Sequence, residues 1–260
     1  MPTTFEKLIE RYRIRATIRT ETALRIGAGK SLDMTGTDLP IVRDGMGRPY
    51  IPGSSFKGAA RSSLEAIIRG LPKARIWTCD PLADPCTAEL DEKRKALPSG
   101  QTIRATEITS TVCTLCSLFG SCYLAGRLFV HDLPVIMSSH MGAVLRDGVG
   151  IDRDLERSAT GLKYDYEVVN AGTEFSLTML LENPDPVELA LTLKILELLD
   201  QGEILLGGFT SRGLGRVALS NAPEVERTTP DMLLTGCACE KKNYAQLQRD
   251  AGQALQAALS

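Results

Sequence analysis

RYRIRATIR, residues 11–19, alternates Arg11, Arg13, Arg15 and Arg19 with Tyr12, Ile14, Ala16 and Ile18. A period of two puts neighbouring side chains on opposite faces of a strand, so one face is apolar and the other carries four guanidiniums. The apolar face needs a covering layer, and the chain supplies one twice. IPGSSFKGAARSSLEAIIRGL, residues 51–71, reads as a helix introduced by Pro52 and Gly53, with Ser54 or Ser55 as its N-cap. Phe56, Ala60, Leu64, Ile67, Ile68 and Leu71 fall on its core side. Asp185 and Pro186 open a second helix, apolar along Leu189, Leu193 and Leu196, that runs to about Gln201. GRLFVHDLPVIM (126–137) and TEFSLTMLLEN (173–183) read as strands between the helices, with Phe175, Leu177, Met179 and Leu181 turned inward. A last strand covers Val217 to Leu219. Strand, helix, strand, strand, helix, strand is an α+β order that predicts a ferredoxin-like, RRM-like βαββαβ core.

Such a sheet leaves one face free, and free sheet faces of this kind serve single-stranded RNA. Aromatic residues make up only 5% of the 260 residues, which favours contact with the RNA backbone over base stacking. The net charge of −2 and pI of 5.8 give no global support for nucleic-acid binding, so any such site is a local concentration of cations. The arginine face at 11–19 is either a solvated sheet face or a track for phosphates. Lys57 and Arg61, four apart beside the free N–H groups of a helix start, are a second candidate.

The hydrophobic share of 43% and charged share of 24% describe a globular protein, expected as one domain over 1–260. Insertions are expected at about 72–125 and 138–172, and a helical extension over 222–260. The stretch 138–172 is too long for an ordinary connection and predicts a projecting loop or hairpin. With no apolar run of membrane-spanning length and no apolar core in MPTTFEKLIERYRIR, the expected location is the cytoplasm, with no membrane partner.

LLGGFTSRGLGRV, residues 205–217, packs four glycines with Arg212 and Arg216. It lacks the Lys-Ser/Thr ending of a phosphate-binding P-loop and does not lead a first strand into a helix, so nucleotide binding does not fit. A loop that clasps a polynucleotide backbone fits better.

Seven cysteines in a cytoplasmic chain point to reduced thiols or a metal rather than disulfides. Cys113 and Cys116 form a C-x-x-C knuckle that, with Cys79 and Cys86, would close a tetrahedral structural Zn²⁺ site. Cys122 is an alternative fourth ligand, and four free buried thiols are the alternative to a metal. A thioredoxin-like role does not fit, because no βαβ unit surrounds the pair. Cys237 and Cys239 are assigned no function. His131 and His140 lack orienting partners and read as structural or exposed. Residues 240–260 predict a terminal helix that docks on the body or on a neighbouring subunit.

Taken in order, IGAGKSLDMTGTD, DLPIVRDGMGRPYIPGSSFKGAARSSLE, CSLFG at 116–120, YDYEVVNAGTEF at 164–175 and GGFTSRGLGRV resemble the RAMP superfamily of CRISPR proteins over roughly residues 12–219. The nearest resemblance is to the backbone subunits of type III interference complexes. It implies a subunit that polymerises with further copies of itself and other effector subunits along a CRISPR RNA (crRNA), leaving guide bases free to pair with a single-stranded target RNA. The implied RNA contacts are Arg25, Ser54, Ser55, Lys57, Arg61, Arg153, Gly208, Thr210, Ser211, Arg212, Gly213 and Arg216. Residues 138–172 would be a thumb that kinks the guide. Asp38, just before Leu39-Pro40, matches the position of the family's target-cleaving aspartate and would work with a divalent cation, Mg²⁺. Asp33 is a weaker positional match. Read from the residues alone, Asp38 is a turn aspartate. The alternatives are a non-catalytic crRNA-binding or capping subunit of the same complex and a stand-alone RNA-binding module.

Overall fold

The alternation at 11–19 becomes β1 (Arg11–Thr20), the centre of a six-stranded antiparallel sheet. The chain continues through β2 (Tyr50–Ile51), α1 (Gly53–Arg69), α2 (Ala88–Ala96), α3 (Ala105–Thr111), α4 (Thr114–Phe119), β3 (Leu128–Val130) and β4 (Leu133–Pro134). A hairpin of β5 (Ala143–Asp152) and β6 (Arg157–Val169) leads into β7 (Glu174–Glu182) and α5 (Pro186–Asp200). The remainder is β8 (Val217–Leu219), β9 (Glu224–Thr228), α6 (Pro230–Thr235), β10 (Glu240–Lys242) and α7 (Tyr244–Leu259). This computed structural model describes residues 7–29, 37–72, 76–139, 142–154 and 157–259; Asp33 and His140 lie outside the described residues.

β7 lies along one edge of β1 in the register Arg11↔Glu182 to Arg19↔Glu174, and β3 lies beyond it. The other edge of β1 is shared, with β8 opposite Ile18 to Thr20 and β9 opposite Arg11 to Arg15. The sheet order is β10-β9-β1-β7-β3, with β8 as a branch on β1. The expected C-terminal helical extension is therefore only partly helical: β9 and β10 extend the sheet before α7 begins.

Period two decides the faces. Tyr12, Ile14, Ala16 and Ile18 are buried with Phe175, Leu177, Met179 and Leu181, and α1 and α5 bury their apolar stripes in the same core. Fully burying one such side chain contributes about 1.5–3 kcal/mol. The arginine face resolves into ion pairs within the sheet. Arg11 meets Glu182, directly opposite it, at 2.5 Å, while Arg13 and Arg15 share Glu226 of β9 at 3.7 and 3.1 Å. Arg11, Arg13 and Arg15 are thus engaged by the protein's own carboxylates, while exposed Arg19 lies outside these pairs, so the face is not one continuous phosphate track.

Two details of α1 differ from expectation. Its N-cap is Pro52, and neither Ser54 nor Ser55 caps it; the Gly53 N–H instead donates to Asp132 Oδ1 at 2.8 Å. Ile67 is 45% exposed, whereas Phe56, Ala60, Leu64 and Ile68 are buried. Steps of four residues rotate the contact line about 40° around the helix each time, so the stripe moves away from Ile67 towards the C-terminus.

α5 is capped as its sequence indicates. The Asp185 carboxylate accepts from the Glu188 N–H at 2.7 Å, and Glu188 Oε2 accepts from the Asp185 N–H at 2.9 Å. Glu188 also meets buried Arg127 at 3.2 Å and accepts from the Ser117 hydroxyl at 2.6 Å. Burial, more than any other influence, pushes the Glu188 carboxyl above its usual range. α7 docks by Ala251 and Ala258, with Tyr244, Leu247 and Leu255 packed at its margin.

The 126–137 segment is strand only at Leu128–Val130 and Leu133–Pro134. The long 138–172 connection is the β5–β6 hairpin, paired from Ala143↔Val169 at its base to Asp152↔Arg157 near its tip. Among the described residues, no helix is long and apolar enough to cross a membrane.

Candidate nucleic-acid interface and candidate metal centre

The glycine-rich stretch sits on the protein's own backbone. Gly207 has φ +80°, and a Cβ there would stand 2.2 Å from the Arg25 carbonyl oxygen; at Gly215, with φ +91°, it would stand 2.2 Å from that of Leu206. The Gly208 N–H donates to the Arg25 carbonyl at 2.8 Å, and the Gly215 N–H to that of Ala23 at 2.9 Å. The loop is thereby zipped onto residues 23–25. Thr210–Arg212 form one turn of 3₁₀ helix bounded by left-handed Phe209 and Gly213.

Phe209 joins three parts of the chain. Its ring lies 4.8 Å from the guanidinium carbon of Arg25 and 4.8 Å from that of Arg212. Tyr166 of β6 meets it edge-on at 5.0 Å, with Tyr164 6.1 Å further along. The Arg212 Nη1 donates to the Tyr164 hydroxyl at 2.5 Å. Leu39, Tyr164 and Phe209 pack around buried Ala23, Tyr166, Val168 and Leu214, a small core separate from the main one. It ties the hairpin base, the glycine loop and the 38–41 segment together.

Beside this core opens a cavity of about 740 Å³ lined by Arg25, Ile26, Gly27, Gly29, Leu39, Ser55, Gly58, Ala59, Leu205, Gly207 and Gly208. The Arg25 Nε is buried without a hydrogen-bond partner, and burial pulls its guanidinium below the usual value. A cation still short of acceptors at the wall of an open cavity suits an anionic ligand.

The structure brings Arg25, Ser55, Gly208 and Arg212 to one region, with Thr210, Ser211 and Gly213 on the same loop, and directs the other expected RNA contacts elsewhere. Ser54 and Lys57 line a different cavity, of about 450 Å³, with Phe129 and His131. Lys57 Nζ donates to the Leu128 carbonyl at 2.8 Å, and burial with Arg61 nearby lowers its pKa. Arg61 donates to Glu65 at 2.8 Å, to the Gly120 carbonyl at 3.0 Å and to Cys116 Sγ at 3.4 Å. Arg216 turns the other way and pairs with Glu21 at 2.5 Å. Arg153 is exposed in the turn beyond β5, at the far end of the hairpin. His131 is exposed, as expected.

Asp38 is exposed at the edge of the small core, one residue from Leu39 in the cavity wall. Its carboxylate accepts from the Asp165 N–H at 3.1 Å, and its own N–H donates to the Asp165 carboxylate at 2.7 Å. Asp165, Tyr164, Tyr166 and Phe209 were not among the expected site residues. The signal was present: YDYEVV places Tyr164 and Tyr166 on one strand face, and Phe209 is the one aromatic residue of LLGGFTSRGLGRV.

Cys79, Cys86, Cys113 and Cys116 bring their sulfurs within 4.8 Å of one another. Cys79 Sγ is 3.7 Å from both Cys113 Sγ and Cys116 Sγ. Four thiolates about 2.3 Å from one ion form a tetrahedron with edges of about 3.8 Å, so this set fits a zinc-sized cation. Cys113 caps α4, its sulfur accepting from the Cys116 N–H at 3.3 Å, and Cys86 Sγ accepts from the Cys113 N–H at 3.3 Å. The hydrogen bond from Cys116 pulls the Cys113 thiol down to about 4, while burial pushes Cys86 up to about 11. Without a cation, the cluster holds one thiolate readily and resists the next. Cys122 is exposed and outside the group.

The sequence profile of the RAMP superfamily matches residues 17–218, a span that includes the end of β1, the cavity, the hairpin and the glycine loop. The chain belongs to the RAMP superfamily. This RAMP chain is also similar to two proteins described as CRISPR system Cms endoribonuclease Csm3. The protein from Methanothermobacter thermautotrophicus is 52% identical over 56 residues, 21% of this chain and 23% of that relative. The protein from Methanocaldococcus jannaschii is 51% identical over 49 residues, 18% and 20% of the two chains. The RAMP chain thus spans less than a quarter of the length of either relative it matches.

Proposed function

We propose that this RAMP chain is a backbone subunit of a type III CRISPR effector complex, built on a ferredoxin-like core, that grips crRNA and cleaves complementary target RNA at regular intervals. The observation that carries this reading is one cavity wall made from Arg25, the glycine loop and the first turns of α1, with Asp38 at its edge. The endoribonuclease description of the two similar proteins supports the activity.

Guide binding falls to Arg25 and Arg212 as cations and to Ser55, Gly208, Thr210, Ser211 and Gly213 as hydrogen-bonding surface. The β5–β6 hairpin serves as the thumb, with Arg153 contacting RNA at its tip. Lys57, Arg61 and Arg216 serve as support, since a carbonyl or carboxylate of the protein engages each. Cys79, Cys86, Cys113 and Cys116 would hold Zn²⁺, which would tie the 72–125 insertion together beside α1.

At Asp38 the reaction is attack of a target 2′-oxygen on the adjacent phosphorus, its proton passing to water, while the bond from phosphorus to the 5′-oxygen breaks and that oxygen takes a proton from water, leaving a 2′,3′-cyclic phosphate and a 5′-hydroxyl. The Asp38 carboxylate would hold Mg²⁺, which takes one or two carboxylates plus phosphate and keeps most of its waters; when bound it would stabilise charge on the scissile phosphate. Asp38 itself would orient the displaced nucleotide by accepting a hydrogen bond from its 2′-hydroxyl. A second reading has support too: the bond from the Asp165 N–H to the Asp38 carboxylate is what a loop-shaping aspartate would make, as in a non-catalytic or capping subunit.

One experiment separates them. An end-labelled complementary RNA is incubated with the reconstituted guide complex, in Mg²⁺ or EDTA, with wild type or Asp38→Ala. A regular ladder that disappears with the substitution while guide binding persists is the expected result. No ladder from a well-assembled wild-type complex leaves the capping reading.

A further inference from the structure

We infer that Asp165 is a positioning residue for Asp38, holding the reactive carboxylate through a reciprocal pair of hydrogen bonds between the loop after β1 and the hairpin strand β6. The inference rests on the reading of Asp38 as the cleaving residue.

Asp38 and Asp165 are 127 positions apart, yet each carboxylate accepts from the other's backbone N–H, at 2.7 and 3.1 Å. Charge-assisted bonds of this kind are roughly twice as strong as neutral ones. They close a ring that sets both the loop backbone and the side-chain direction of Asp38. The same loop is laced to β6 further on. The Glu167 N–H donates to the Leu39 carbonyl at 3.1 Å, the Ile41 N–H donates to Glu167 Oε2 at 3.1 Å, and Arg43 pairs with Glu167 at 2.9 Å. Leu39 sits alongside Tyr166 in a parallel bridge. Glu167 therefore anchors the loop, and among the described residues Asp165 is the one hydrogen-bonded to Asp38 itself.

The strand tolerates a cost to keep an aspartate there. Asp165 lies directly opposite Asp147 in the β5–β6 register, and like charges so placed destabilise a hairpin. Lys163 offsets part of this by pairing with Asp147 at 3.2 Å. Stability alone would favour a neutral residue at 165, whereas aiming Asp38 requires an acceptor.

The test uses the assembled guide complex under single-turnover conditions, with wild type, Asp38→Ala, Asp165→Ala and Asp165→Asn. Asn retains an acceptor oxygen for the Asp38 N–H; Ala does not. The expected result is a cleavage rate at saturating complex at least tenfold lower for Asp165→Ala, with the half-saturating concentration and guide binding unchanged, and recovery to within about threefold of wild type for Asp165→Asn. A wild-type rate for Asp165→Ala while Asp38→Ala is inactive overturns the positioning role and leaves the reading of Asp38 intact. Equal loss in Asp165→Asn and Asp165→Ala also overturns it, because the acceptor alone is then not what matters. Cleavage by Asp38→Ala at the wild-type rate overturns the reading of Asp38 itself.

Discussion

Individual residues in the glycine loop divide by what their hydrogens face. Gly207 is squeezed against the Arg25 carbonyl and has positive φ, whereas Gly213 has φ +84° with open space around it. Alanine at 213 pays only for the left-handed backbone, about 1 kcal/mol. Alanine at 207 adds a clash with backbone that cannot rotate away, so a loss above about 2 kcal/mol is expected. Urea unfolding midpoints of the two variants measure the difference directly. Glycine lets a main chain approach a ligand closely; at 207 and 215 what it approaches is the protein's own backbone. Arg61 shows the converse problem. Its place four residues after Lys57 suggests a shared phosphate site, but Glu65, Gly120 and Cys116 accept from its guanidinium.

At the scale of elements, α1 links the metal knuckle to the rest of the fold. Arg61 reaches from α1 to Cys116 in the knuckle that leads into α4, and partners of this kind tune metal affinity by about 10–100-fold. Arg61→Ala is therefore expected to weaken zinc binding by that factor in a chelator competition, with guide-RNA affinity of the zinc-saturated protein little changed. If Arg61 served RNA instead, the two effects would be reversed. The spacing of Cys113 and Cys116 made half of this centre legible, because C-x-x-C forms a knuckle by local geometry alone. Cys79 and Cys86 required the insertion to fold back on itself. Nothing local to GSCYL distinguishes Cys122 from them, and only its exposure removes it.

For the whole molecule, the net charge of −2 makes guide binding a matter of where cations remain unmatched. Arg11, Arg13 and Arg15 of β1 are paired with Glu182 and Glu226, while Arg25 at the cavity and Arg212 on the loop meet no carboxylate among the described residues. Binding to single-stranded RNA is expected to weaken steeply with salt, and Arg25→Ala to flatten the plot of log affinity against log salt by about 0.7, one phosphate's worth. Arg13→Ala is expected to leave that slope unchanged. Filter binding across a range of salt concentrations measures both. A strand order of β8-β1-β7-β3, with α1 and α5 in a common core, is also a whole-molecule property.

By itself the sequence determined the elements whose periodicity is local: β1, α1, β7 and α5, the opening of α5 at Asp185-Pro186, the hairpin as an overlong connection, and the apolar faces that must meet. Those follow because side-chain direction repeats every 2 or 3.6 residues whatever the rest of the chain does. Only the tertiary structure decided which charges remained available and which residues met. Arg11, Arg13, Arg15, Arg61 and Arg216 look alike in the sequence to Arg25 and Arg212, and they differ because carboxylates, carbonyls and a thiol from distant segments reach the first group. The Asp38–Asp165 pair has the same origin, since a contact spanning 127 positions depends on two elements packing at one register, which no local pattern records.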